Sequence, residues 1–279
     1  MTIPLLFRAL SFALIANLRT LVALVHFNGY SPRAFSDWDE PLYLSQAYEG
    51  AKVPLQSLIT LKSGGLEVYQ ILESQIPHQF LDVLVGHFFT SIGISPVAAG
   101  LFLDIVCCLA AYLLLRLLFK GLLGISGLQA EIGAVIAIQF PWLASFGELF
   151  PVPLPVFKTV TTVAHSFFPS QPVFRAVYTQ VGFIFYVATL VPALSPLRSG
   201  RYPLRRAVVS GCIAGLAIYI YFFAWGALLV FVGVVCLLDA FLMRPNLKGR
   251  IALWCAIFAA TALLISLPGL RALFNDGSL

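Results

Sequence analysis

The sequence predicts an all-α membrane protein of about seven transmembrane helices, with two long external loops that carry short surface helices. Three observations predict it. Of 279 residues, 60% are hydrophobic and only 10% are charged, against roughly 25% charged in an average soluble domain. Apolar runs of about 18 residues or more recur along the chain. The basic residues come in small groups between those runs. With 17 basic and 12 acidic side chains, a water-facing surface for a chain of this size cannot be assembled, so a soluble domain is excluded. The net charge of +5 does not indicate nucleic acid, which would need its cations gathered on one water-exposed surface.

Spans of about 20 residues each are expected at roughly 9–28, 97–119, 128–146, 177–195, 205–222, 224–243 and 251–270. Residues 1–279 then form a single transmembrane module. The first span follows Arg8 and is interrupted by Asn17 and Arg19. A cleaved signal peptide would need a small-residue site after it, and none occurs before Tyr30, so it reads as a retained anchor. In the second span, Asp104 is costly in hydrocarbon, and a structural pair with Arg19 is the favoured expectation over a proton relay. The run from Ala207 to Met243 holds one charge, Asp239, and is too long for one crossing, so a tight turn is placed near Phe223–Gly226. Glu131 and Asp239 are expected to meet loop cations. The aromatic stretch Tyr219–Trp225 reads as an interfacial belt, with a hydrophobic wall for a bound lipid as the alternative. Gly211 and Gly215 read as a close-packing contact within the bundle. The cysteines (Cys107, Cys108, Cys212, Cys236, Cys255) all lie in apolar stretches without CxxC spacing, and read as small core residues.

Orientation follows from the short loops, because positively charged loops stay in the cytoplasm. Arg8, Arg116, Lys120, Arg198, Arg201, Arg205, Arg206, Arg244, Lys248 and Arg250 all fall on one side of the predicted spans. The N-terminus is therefore expected in the cytoplasm and the C-terminus outside. The net charge then divides into +10 inside, −3 outside and −2 within the spans. External loops run from about 29 to 96 and from 147 to 176, far longer than joining two helices requires. In loop one, Leu42–Ala51 and His78–Phe89 carry apolar residues at helical spacing, which predicts two short helices lying along the membrane surface.

The densest polar signal is Ser36-Asp37-Trp38-Asp39-Glu40-Pro41, about ten residues after the first span. Mutual repulsion of three carboxylates at a membrane surface raises the pKa of at least one, which suits a general base or a metal ligand. The same residues also suit a helix start, with Asp39 as N-cap, Glu40 in the first turn and Pro41 where no N–H is needed.

Here the chain resembles the GT-C superfamily of polytopic membrane glycosyltransferases, which depend on polyprenyl-phosphate-linked sugars, and in particular its N-terminal seven-span module. Asp39-Glu40-Pro41-Leu42-Tyr43 is similar to the D-E-x-x-Y pattern that these enzymes place in the first external loop. The surface helices of loop one and the long second loop are similar as well. The resemblance implies a glycosyltransferase that takes a polyprenyl-phosphate-sugar donor and works at the external face. It implies Asp39 as the base that deprotonates the acceptor, Glu40 orienting the acceptor or a metal, and Tyr43 packing beneath them. Asp37 and Asp39 form a D-x-D pair that could hold a divalent cation, though hard cations usually take more oxygen ligands. Loop two must then supply the donor site, from Lys158, His165 and Arg175, with Glu148 as a second carboxylate. Arg175 could grip a lipid phosphate by paired hydrogen bonds, or simply snorkel to headgroups.

Relatives of this kind usually continue beyond such a module, whereas this chain stops at Leu279. The expected partners are therefore the lipid-linked donor, membrane lipid and a protein supplying a missing C-terminal part, with no nucleic acid. Two other readings are a non-catalytic assembly partner with the same fold, and a transporter. The latter would show internal repeats and midplane charges, and neither is evident. The absence of external cysteines and of any N-x-S/T sequon leans towards a bacterial plasma membrane.

Overall fold

The computed structural model describes residues 4–17, 51, 59–62, 65–68, 76–149, 177–220 and 222–275. Eight α-helices lie within them: α1 Leu5–Ala16, α2 Ile76–Ser91, α3 Pro96–Leu123, α4 Gly127–Leu149, α5 Val177–Ser199, α6 Leu204–Leu216, α7 Phe222–Leu238 and α8 Lys248–Asn275. A 3-10 turn, Ala217–Tyr219, follows α6. A π segment, Asp239–Met243, extends α7, and a second 3-10 turn, Pro245–Leu247, leads into α8. Four stretches, Ala98–Leu123, Val181–Ser199, Trp225–Met243 and Pro245–Arg271, are long and apolar enough to cross a membrane. The chain is thus a helical membrane protein. Leu5–Ala16 and Gly127–Gln139 are shorter apolar stretches among the described residues.

Loop one departs from the all-α expectation. Ile59–Lys62 (β1) and Gly65–Val68 (β2) pair antiparallel, with Ile59 opposite Val68 and Lys62 opposite Gly65. Both strands alternate apolar and polar residues around a Ser-Gly-Gly turn signal, a pattern with the period of two that strands require. The helix expected over 78–89 is present as α2. The first, over 42–51, lies outside the described residues except for residue 51.

Helix ends follow local chemistry. α3 begins where the Ser95 Oγ accepts the Ala98 N–H at 3.4 Å, with Pro96 at the first position, and stops at Gly124, whose φ of 68° suits glycine. α5 continues through Pro192 and Pro196. Pro196 has no N–H for the Pro192 carbonyl, and the Ser195 hydroxyl donates to that oxygen instead, at 2.9 Å.

Helices α6 and α8 run parallel. A Cβ on Gly211 would lie 2.6 Å from the Phe258 carbonyl oxygen, and one on Gly215 would lie 2.7 Å from that of Ala262. This is the close packing expected of the Gly211/Gly215 pair, made inside the bundle. The five cysteines are free thiols, and Cys107, Cys108 and Cys236 are buried, as small core residues should be.

The break between α6 and α7 is a correction. It falls at Ala217–Tyr219, and Phe223–Gly226 are helical. Hydropathy is continuous across the region, so the turn is set by packing. Tyr219 turns onto α8. Its hydroxyl donates to the Ile265 carbonyl at 2.9 Å and accepts the Gly269 N–H at 3.2 Å. These are the two groups that an unbroken helix would join directly, and they flank Pro268, which cannot donate to the carbonyl four residues back. A Cβ at position 269 would come within 3.1 Å of the Tyr219 ring, so the glycine admits the hydroxyl. Tyr219→Phe is expected to lower stability by about 1 kcal/mol and to speed deuterium exchange at the Gly269 amide. Unchanged exchange there would remove the bridge from the account.

Candidate functional site

Most of the residues singled out in the sequence lie outside the described residues: Asp37, Asp39, Glu40 and Tyr43 in loop one, and Lys158, His165 and Arg175 in loop two. Glu148 is placed, in the last turn of α4. The described residues therefore fix the frame to which the two loops attach, and its polar chemistry is concentrated at one end.

At that end, the Glu131 carboxylate is the centre of a four-residue cluster. Arg8 reaches it from α1 through both Nε and Nη2, each at 2.8 Å. From α3, Arg116 Nε donates at 3.0 Å and the Tyr112 hydroxyl at 3.1 Å. Tyr112 and Arg116 are four residues apart and so share one helix face. The paired geometry of Arg8 is the strong form of the carboxylate–guanidinium contact. Four donors on two oxygens hold this carboxylate in its charged form and leave it no role as a base.

A second cluster surrounds Asp239, in the π segment. Tyr202, in the short connection before α6, donates its hydroxyl to Asp239, and Arg244 lies 3.4 Å from the same carboxylate oxygen. Arg244 also donates to the Pro196 carbonyl at 3.1 Å and to that of Leu197, both in the last turn of α5. Burial, and then the bond to Asp239, push the Tyr202 phenol above its ordinary pKa. The Tyr202 ring meets Trp254 of α8 edge-on at 6.1 Å. Two further ties complete this end. Arg198 Nη1 donates to the Lys120 carbonyl at 3.1 Å, and Arg206 Nη1 to the Ser195 hydroxyl at 2.6 Å.

These contacts bring Arg8, Arg116, Lys120, Arg198, Arg206 and Arg244 to one end of the bundle, as their loop positions led us to expect. Glu131 and Asp239 do meet cations there. The tyrosines Tyr112 and Tyr202 were missed, and only the spacing of Tyr112 to Arg116 could have signalled one of them. Asp104 is fully buried in α3, while its expected partner Arg19 lies outside the described residues. Among the described residues, no group of three or more His, Cys, Asp or Glu could hold a metal ion.

Glu131→Gln is expected to lower the melting temperature in detergent more than Arg8→Ala does. The first leaves two guanidinium groups facing one another without a counter-charge, whereas the second leaves Glu131 with Arg116 and Tyr112. Intrinsic tryptophan fluorescence on heating reads the order, and the reverse order would deny Glu131 its central place.

Comparison with protein families, with curated proteins and with solved structures yields no match to this chain.

Proposed function

We propose that the chain is a membrane glycosyltransferase of GT-C type, moving a sugar from a polyprenyl-phosphate-linked donor to an acceptor on the external face. The observation that supports this reading is the position of Ser36–Pro41 in the chain. Arg8 meets Glu131 at the basic end, and Phe12 packs on Tyr112 one turn further along, so α1 heads away from that end before the acid cluster follows. On this reading, α1 and α3 to α8 are seven crossings that alternate in direction. The positive-inside rule assigns the basic end to the cytoplasm, so loops one and two and the C-terminus lie outside. A bacterial plasma membrane suits this arrangement.

In the reaction, the acceptor oxygen attacks the anomeric carbon, the bond from that carbon to the phosphate oxygen breaks, and polyprenyl phosphate departs. Asp39 takes the acceptor proton, and Glu40 orients the acceptor, with Asp37 and Tyr43 beside them. Lys158, His165 and Arg175 would neutralise the departing phosphate, the point where fixed positive charge helps most. Glu148 supplies a further carboxylate to that side. A divalent cation between Asp37 and Asp39 would add positive charge at the same phosphate.

The test is an assay of the full chain in vesicles with radiolabelled polyprenyl-phosphate sugars. Transfer of label supports the proposal. Binding of donor without turnover supports a non-catalytic assembly partner, and neither binding nor transfer sinks the proposal.

A further inference from the structure

We infer that the C-terminal half of α2 is immersed among lipid acyl chains, with Leu84, Phe88 and Ile92 as its lipid-facing stripe. The inference stands apart from the proposed chemistry.

The stripe has the right form. Leu84, Phe88 and Ile92 follow one another at intervals of four and are between 41% and 51% exposed, while Phe89, about 100° further round the helix, is 1% exposed. That inner side packs towards α8 and the 3-10 turn after α6. Three large apolar side chains in line on one exposed face would be unfavourable in water. Two polar groups beside them are satisfied within the helix. The Thr90 hydroxyl donates to the Gly86 carbonyl at 2.7 Å, and that of Ser91 to Phe88 at 2.8 Å.

Its depth follows from α3. The helices join through a tight corner, where Gly93 (φ 67°) ends α2 with the Ile94 N–H on the Phe89 carbonyl, and Ser95 starts α3. Arg116, paired with Glu131, is taken as the hydrocarbon boundary at the basic end, where loop cations belong. Pro96 lies twenty residues before it, about 30 Å at 1.5 Å per residue, which is the thickness of a bilayer core. Phe102 is therefore about 9 Å inside the opposite boundary. The Phe88 ring stands 6.4 Å from the Phe102 ring, and Phe89 meets Phe102 edge-on at 5.9 Å. Phe102 and Val106 are themselves exposed on a helix that crosses the membrane, so lipid covers them, and the α2 stripe continues that surface. An occupant other than acyl chains would have to displace lipid from α3 as well. α2 would thus anchor loop one within the leaflet, deeper than the headgroup position that its amphipathic pattern alone suggests.

The experiment places the photoreactive residue benzoylphenylalanine in turn at Leu84, Phe88, Ile92, Phe89 and Phe102 of the full chain. Each protein is reconstituted in phosphatidylcholine/phosphatidylglycerol vesicles and irradiated, and its adducts are mapped by mass spectrometry. Positions 84, 88, 92 and 102 are expected to give acyl-chain adducts at least tenfold above position 89, which should cross-link within the protein. Lipid labelling at 88 no greater than at 89 would overturn the inference. So would adducts confined to headgroups, or cross-links from the stripe to this chain or to a second copy.

Discussion

Asp39→Asn is expected to lower sugar transfer by about 10²–10⁴-fold, the usual contribution of a general base, while leaving donor binding and thermal stability near their native values. The substitution is informative because both readings of Asp39 use the same side chain. As a base, the carboxylate must accept a proton as the acceptor oxygen attacks, and an amide of the same shape cannot. As a helix N-cap, it need only accept a backbone N–H, for which Asn is as good as Asp. Lost activity with intact stability therefore identifies a base, and full activity would return the residue to a capping role. Glu40→Gln offers a second readout. A group that orients the acceptor should raise KM for the acceptor, because binding is weakened along with the transition state.

How much of this was legible in the sequence depends on which signals are one-dimensional. Apolar length is such a signal, and the expected spans 97–119, 177–195, 224–243 and 251–270 coincide with the four stretches long and apolar enough to cross a membrane. Loop charge is another, and it brought the basic residues to a common end. The α6–α7 break could not be read in this way, because hydropathy is uniform from Ile213 to Val235 and the turn is made where Tyr219 finds the opened helix at Pro268. Nor could the partner of Glu131 be read, since Arg8 lies 123 residues away and meets it only once α1 packs on α3. The strands at 59–62 and 65–68 repeat with a period of two, a signal that helical spacing does not detect. The acid cluster stands out by composition and by its place after α1. Its geometry with Lys158, His165 and Arg175 depends on two loops meeting, which no spacing within either loop encodes.

Filling the α6–α8 contact is expected to produce the largest loss of stability. At Gly215 an added Cβ would meet the Ala262 carbonyl oxygen at 2.7 Å and the Ile265 Cβ at 2.8 Å. At Gly211 it would meet the Phe258 carbonyl oxygen at 2.6 Å and the Thr261 Cβ at 2.8 Å. The nearest neighbour in both cases is backbone, so the helices themselves must part. Overpacking of this kind costs about 1–3 kcal/mol for a small side chain, and Gly215→Leu should exceed Gly215→Ala. Separation would also carry Tyr219 away from Ile265 and Gly269, so the effect should reach the Gly269 amide. The control lies in α7, where a Cβ on Gly226 or Gly233 meets nothing within 4 Å. There, Gly→Ala should be neutral or stabilising by up to about 1 kcal/mol, from helix propensity alone. The same chemical change thus carries opposite signs on two helices of one protein. Equilibrium unfolding in mixed micelles reads the difference. Equal effects at 215 and 233 would mean that the glycines serve flexibility, and that α6 and α8 are not in the close parallel contact described above.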